Sequence, residues 1–313
     1  MADGPPNCPP PDDARSRYRP RSGMSLSLQI PQPTAPEVMK MPSLVQAFDP
    51  ADYEFISHMG SGVSGSVDRV RNKHTGQEYA RKRIRISDGM TDEREKQRSL
   101  ILREMETLAQ LHHPNLVELV SGWASVTEIQ MMFELMDGSL KDFHTEDENV
   151  IADIAQQILT GLSYLRDERI IHRDLKPANV LRNNYGNVKI ADFGSSRRLD
   201  IGNMQSILTV LGTIQYCSPE MLQHQLRKTD RPDKSDVWSL GILLLEIYMG
   251  HFPFPCIDKF QTYNEIINDF VVPELPNSTS QFRDFVQRCL IRDVDSRASV
   301  DELLGHNFLH MFR

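Results

Sequence analysis

At 313 residues, 39% of them hydrophobic and 25% charged, the chain is long enough for two compact lobes and has the make-up of an ordinary globular enzyme. A formal net charge of -8 argues against a general nucleic-acid binder, which needs a basic field. Cys8, Cys217, Cys256 and Cys289 form no C-x-x-C pair and have no histidine at ligand spacing, so disulfides and zinc are not expected and a reducing compartment fits.

Residues 1 to about 50 hold eleven of the nineteen prolines and few aromatics. They cannot bury enough apolar surface to offset their ordering entropy, so the arm is predicted to be disordered when free. It carries no apolar signal core, and the longest apolar run of the chain, Leu240 to Met249, contains Glu246 and is too short for a bilayer. A protein neither secreted nor membrane-spanning is expected, in the cytoplasm and also compatible with the nucleus. Within the arm Arg15, Arg17, Arg19 and Arg21 precede Met24, Leu26, Leu28 and Ile30. Such a basic cluster followed by alternating apolar residues can fold onto an acidic patch beside a groove, a plain low-complexity tail being the alternative.

Strand-type alternation begins at Tyr53-Glu54-Phe55-Ile56 and resumes over residues 66–70 and 78–82, with glycines at 60, 62, 65 and 76 as turns. These segments predict a small antiparallel sheet. Gly60-Ser61-Gly62-Val63-Ser64-Gly65-Ser66-Val67 has the spacing G-x-G-x-x-G-x-V, in which the backbone can close over phosphates without Cβ clashes. A dinucleotide fingerprint needs a helix straight after the glycines, and the strand-like residues 67–70 argue against it; a plain hairpin is the other alternative. Lys82 on the third strand can reach the α- and β-phosphates, and Glu104, on the helix predicted from Thr91 to Leu111, is the candidate ion-pair partner that holds it. His113-Pro114-Asn115 stops that helix.

Short strands follow around residues 117–119 and 130–134, and after Gly138 the pattern changes to helical segments at 150–165, 234–249 and 279–291. A β-rich first third and an α-rich remainder predict an α+β architecture: an arm over 1–50, then a domain over 51–313 with an N-lobe at 51–136 and a C-lobe at 137–313. The segment His172-Arg173-Asp174-Leu175-Lys176-Pro177-Ala178-Asn179 is followed, eighteen residues after Asp174, by Asp192-Phe193-Gly194. Together they supply a carboxylate to orient a hydroxyl, a lysine for a phosphate, and an amide plus a second carboxylate for magnesium. A solvated charged loop beside a buried strand is the bland alternative.

With these motifs in order, residues 53 to about 310 resemble a eukaryotic protein kinase. The resemblance implies a bilobal fold, with ATP and Mg2+ as cofactors. By it Asp174 is the catalytic base, Lys176 contacts the transferred phosphoryl group, and Asn179 and Asp192 hold magnesium. Gly60, Ser61, Gly62, Val63 and Gly65 cover the phosphates, while Val67, Ala80 and Leu181 sandwich the adenine. Glu134 and Met136 meet the adenine edge through their backbone, Phe133 is the gatekeeper, and His172 and Phe193 pack in a spine below Leu108. Glu220 is expected to pair with Arg297, and Asp236 to brace the 172–179 backbone.

Phe133-Glu134-Leu135-Met136-Asp137-Gly138-Ser139-Leu140, Lys82-Arg83-Ile84-Arg85 and Tyr216-Cys217-Ser218-Pro219-Glu220 are similar to MAP kinase kinases, especially the stress-activated branch. That likeness implies dual-specificity transfer to Thr and Tyr in the activation loop of a MAP kinase, with a MAP kinase kinase kinase upstream. It also makes the arm's Arg19, Arg21, Leu26 and Leu28 a docking site for the MAP kinase, and Thr209 an activating phosphosite. Ser206 stands three residues before Thr209, where the family's usual spacing falls on Gln205 or Asn203. No segment resembling the C-terminal docking extension of mammalian members follows Phe308. Alternatives are a Ser/Thr kinase of the Ste20 or MAP kinase kinase kinase type, or a pseudokinase scaffold; Lys82, Glu104, Asp174, Asn179 and Asp192 together argue against the scaffold.

Overall fold

The computed structural model describes residues 42–43, 45–62, 65–86, 91–193, 197–198, 214–223, 229, 231–254 and 259–311, all within the unit Pro36–Arg313. Strands β1 (Tyr53–Gly62), β2 (Gly65–Asn72), β3 (Glu78–Arg85), β4 (Leu119–Ala124) and β5 (Glu128–Glu134) form one antiparallel sheet in the order β1-β2-β3-β5-β4. The β2–β3 turn closes because Asn72 Oδ1 accepts the N–H groups of His74 and Thr75 at 2.9 Å each, with Gly76 in the left-handed region at φ 73. Helix α1 (Thr91–Leu108) ends three residues before the predicted Leu111, and buries Met105 and Leu108 in the common core.

β4 would be an open edge, but the chain ahead of β1 covers it. Ala47 pairs with Gly122 in parallel, Gly122 N–H donates to Gln46 O at 2.8 Å, and Val45 is buried in the core. Residues 45–48, which the composition groups with the proline-rich arm, thus serve as the neighbour of an edge strand, a role the proline count does not reveal.

The C-lobe is built on α2 (Glu148–Asp167), capped by Asp147 and carrying Ile151, Ile154, Ala155, Ile158, Leu162 and Leu165 on its buried stripe. α4 (Lys234–Met249) has its predicted bounds, is buried almost all round, and stops at Gly250 with φ 72. Short α3 (Pro219–Leu222) and α5 (Lys259–Asn264), then α6 (Ser280–Cys289) and α7 (Val300–Leu304), complete the lobe. A Ser299–Glu302 capping box starts α7. The short strand β6 (Gly138–Ser139) precedes α2, and β7 (Ile170–Ile171), β8 (Val180–Arg182), β9 (Val188–Ile190) and β10 (Arg197–Arg198) lie between α2 and α3. β6, β8 and β9 form a second small sheet, so the 172–179 loop and Asp192 leave neighbouring strand ends together. Among the described residues no helix is long and apolar enough to cross a membrane.

Candidate functional site

The pairs Gly60↔Val67, Val67↔Lys82, Lys82↔Met131 and Ala80↔Phe133 place Val67, Ala80, Lys82 and Phe133 on one face of the first sheet. At the end of the β1–β2 hairpin Gly62 pairs with Gly65. Gly65 has φ 119, and a Cβ there would lie 2.3 Å from Arg83 O, so only glycine fits. Around Gly60 and Gly62 nothing lies within 4 Å of a built Cβ, which leaves room beside the backbone for another group. Met136 is buried, Leu181 is half-buried on β8, and Glu134 donates its N–H to Glu118 O at 3.2 Å. The Glu134 carboxylate takes Lys189 Nζ at 2.6 and 2.8 Å.

Lys82 Nζ donates to Asp192 Oδ1 at 2.7 Å. Asp192 itself sits at φ 60, a left-handed conformation costly for a residue with a Cβ. Burial opposes its charge, but Lys82, then His172 and Lys176, outweigh that and hold the carboxyl below its ordinary range. The predicted Lys82–Glu104 ion pair is therefore corrected: among the described residues the ion pair of Lys82 goes to Asp192. Glu104 reaches the same place from α1, yet burial raises its carboxyl, Lys82 offsets this only in part, and Asp192 adds to it.

The loop between β7 and β8 brings its polar groups to one point. Lys176 Nζ donates to both oxygens of Asp174 at 2.9 and 2.8 Å, and Asn179 Nδ2 donates to Asp174 Oδ2 and to Asp174 O, both at 2.8 Å. Asp236, buried at the start of α4, accepts from the backbone N–H groups of His172 at 2.8 Å and Arg173 at 2.9 Å. That brace, expected from the family resemblance, holds Arg173 at φ 68. Burial raises the Asp236 carboxyl, while His172 and the two N–H groups favour its charge. His172 Nε2 lies 3.0 Å from Ala191 O, its ring meets Phe193 edge-on at 5.2 Å, and Ala191 N–H donates to Asn179 O at 2.8 Å. These contacts lock Asp192 to the loop that carries Asp174.

Next to it lies the segment 214–223. Ser239 Oγ donates to Tyr216 O at 2.8 Å and Tyr216 Oη donates to Glu246 at 2.5 Å, a pairing that no spacing rule predicts. Burial, reinforced by Asp174, pushes the Cys217 thiol up to about 12. Glu220 and Arg297 form the predicted buried pair at 2.8 and 3.0 Å, and the Arg297 guanidinium also donates to the carbonyls of Ile291, Lys234 and Arg292 and lies 5.2 Å from the Trp238 ring centre. Val63, Ser206, Thr209, Arg19, Arg21, Leu26 and Leu28 lie outside the described residues.

A hard divalent cation fits the oxygens available here. With Nδ2 of Asn179 turned to Asp174, its Oδ1 is left as an acceptor, and Asp192 supplies a charged carboxylate. Magnesium is commonly held by one or two such groups plus phosphate oxygens and water rather than by a full protein cage.

A family model described as "Protein kinase domain" matches residues 53–309. Mitogen-activated protein kinase kinase 7 of Arabidopsis thaliana is 34% identical over 284 residues, covering 86% of this chain and 88% of that protein. Mitogen-activated protein kinase kinase 2 of the same plant is 35% identical over 277 residues, 84% of this chain and 73% of the relative. Dual specificity mitogen-activated protein kinase kinase dSOR1 of Drosophila melanogaster is 33% identical over 292 residues, 82% and 70% respectively.

Proposed function

The chain belongs to the protein kinase family and is of the MAP kinase kinase type, and from that premise we propose that it transfers the γ-phosphoryl group of ATP to both Thr and Tyr in the activation loop of a MAP kinase. The observation that carries the reading is the convergence of Lys176 and Asn179 on the Asp174 carboxylate, with Lys82 and Asp192 joined across the same cleft.

In this mechanism Asp174 accepts the hydrogen bond of the incoming hydroxyl, aims it at the phosphorus and receives its proton. Lys176 lies within reach of that carboxylate and moves onto the transferred phosphoryl oxygens as charge develops there. Lys82 holds the α- and β-phosphates, and the Gly60–Gly65 backbone closes over them. Val67, Ala80 and Leu181 flank the base, with Phe133 behind it and Glu134 and Met136 at its edge. Magnesium, bound through Asn179 and Asp192, would neutralise charge between the β- and γ-phosphates. The working arrangement of this family pairs the strand lysine with the helix glutamate, so activation exchanges the Lys82–Asp192 contact for Lys82–Glu104 and frees Asp192 for the metal.

We assign that exchange to phosphorylation of Thr209, with Ser206 as a second site, by a MAP kinase kinase kinase, with Arg173 as the partner of the phosphate. Arg19, Arg21, Leu26 and Leu28 would grip the MAP kinase substrate. Two-residue specificity is supported by the printed name of the Drosophila relative. The test is transfer of labelled phosphate to a panel of kinase-dead MAP kinases by the wild type and by Asp174→Asn. Labelling of one MAP kinase, lost in D174N, supports the proposal. Labelling of generic Ser/Thr substrates alone would place the protein in another kinase group.

A further inference from the structure

The face of the first sheet opposite Lys82 carries a relay that the nucleotide site does not use. His58 Nδ1 lies 2.9 Å from Asp68 Oδ1, and Ser61 Oγ lies 2.9 Å from His58 Nε2. With Nδ1–H on the carboxylate, Nε2 is the acceptor for the serine hydroxyl, which is the arrangement of nucleophile, base and orienting acid. Residues three apart in a regular strand point to opposite faces; here a β-bulge between His58 and Gly60 puts His58 and Ser61 on the same one. Ser61 pairs with Ser66 and Ser66 with Arg83, while His58 pairs with Asp68 and Asp68 with Arg81, so the whole cluster stands on the outer face.

Behind the relay stand two guanidiniums whose hydrogen bonding is incomplete. Arg83 Nε is 3.0 Å and Arg81 3.8 Å from the second Asp68 oxygen, yet neither Nε has a hydrogen-bond partner, because one carboxylate cannot align with both forks. Burial and the Arg83 charge both work against the charged Arg81, and Asp68 and Glu128 offset them only in part. The unpartnered Arg83 Nε, on the strand beside Ser66, is the donor an anion on Ser61 would meet.

We propose that Ser61 is a phosphorylation site, and that His58 and Arg83, with Arg81 behind them, are the receptor built for its phosphate. β1 is the edge strand of the sheet and is exposed over most of its length, so it offers an extended segment of the kind a protein kinase takes as substrate. Because Ser61 and Lys82 lie on opposite faces, the donor is ATP held by a kinase acting in trans. The Ser61 Oγ–P bond forms, the bond from phosphorus to the β,γ-bridging oxygen breaks, ADP leaves and the hydroxyl proton goes to His58 Nε2. The dianion then bridges His58 and Arg83 and fastens the β1–β2 hairpin to β3 from outside. None of this depends on the substrate assigned above.

The test installs phosphoserine at position 61 of the full chain by genetic code expansion, in the wild-type and Arg83→Gln backgrounds, and compares melting temperatures with the Ser61 counterparts. We expect phosphoserine to raise Tm by roughly 2–4 °C in the wild-type background, with at least half of the rise lost in R83Q. No rise, or an equal rise in both backgrounds, overturns the receptor. In parallel, phosphopeptide mapping of the chain from eukaryotic cells should recover phosphorylated Ser61. Recovery of that peptide only in its unmodified form overturns the site.

Discussion

Arg297→Met removes one partner of the most enclosed ion pair among the described residues. Arg297 donates to both oxygens of Glu220, at 2.8 and 3.0 Å, and to three main-chain carbonyls, while its side chain is fully buried. Methionine fills much of the volume but donates nothing, so Glu220 is left as a buried charge at the start of α3. Removing one member of such a pair costs ~3–5 kcal/mol, most of it the stranded charge rather than the lost attraction. A domain of this size loses about 2–4 °C of Tm per kcal/mol, so calorimetry of R297M should show a fall of roughly 6–20 °C. Combining it with Glu220→Gln removes the stranded charge and should recover about half of the fall, since neighbouring residues are not additive. A fall below about 3 °C, or a double mutant no better than R297M, would refute the argument that the pair ties residues 214–223 to the C-lobe.

Three further perturbations test other parts of the site. Asp236→Asn turns an amide N–H₂ toward one of the two N–H groups that the carboxylate now accepts, at a cost of ~1–3 kcal/mol in the loop that carries Asp174. Steady-state kinetics should show kcat down at least about tenfold for that loss, and an unchanged kcat would contradict the brace. Gly65→Ala forces a Cβ to 2.3 Å from Arg83 O at a φ of 119, and should lower stability by ~1–3 kcal/mol; Gly60→Ala, with nothing within 4 Å, should leave Tm nearly unchanged, and equal melting of the two would be the contrary result. Cys217, its thiol pushed up to about 12 by burial, should alkylate at pH 8 on the order of 10³-fold more slowly than free cysteine, read by peptide mapping. Comparable rates would show that the thiol is not shielded as described.

Local chemistry was legible in the sequence where one stretch of chain supplies a whole function. Asp174, Lys176 and Asn179 fall within six residues, so their spacing alone brings them together. Glu220–Arg297 and the Asp236 brace were legible only through family resemblance, since no local rule links residues so far apart. The partner of Lys82 was not: Asp192, 110 residues further along the chain, takes the ammonium at 2.7 Å, and that depends on how the strands pack rather than on spacing. Period-two reasoning also hid the Ser61–His58–Asp68 relay, because a bulge reverses the face that counting assigns to Ser61. Residues 45–48 read as the end of a proline-rich arm, and their pairing depends on β4 lacking a neighbour.

The most direct test of the central claim is the phosphate count on a single kinase-dead MAP kinase after exhaustive treatment with this chain and Mg-ATP, mapped by mass spectrometry. Two phosphates per substrate molecule are expected, one on Thr and one on Tyr of the activation loop, and none with D174N. One phosphate confined to Ser or Thr, or labelling that survives D174N, would contradict it.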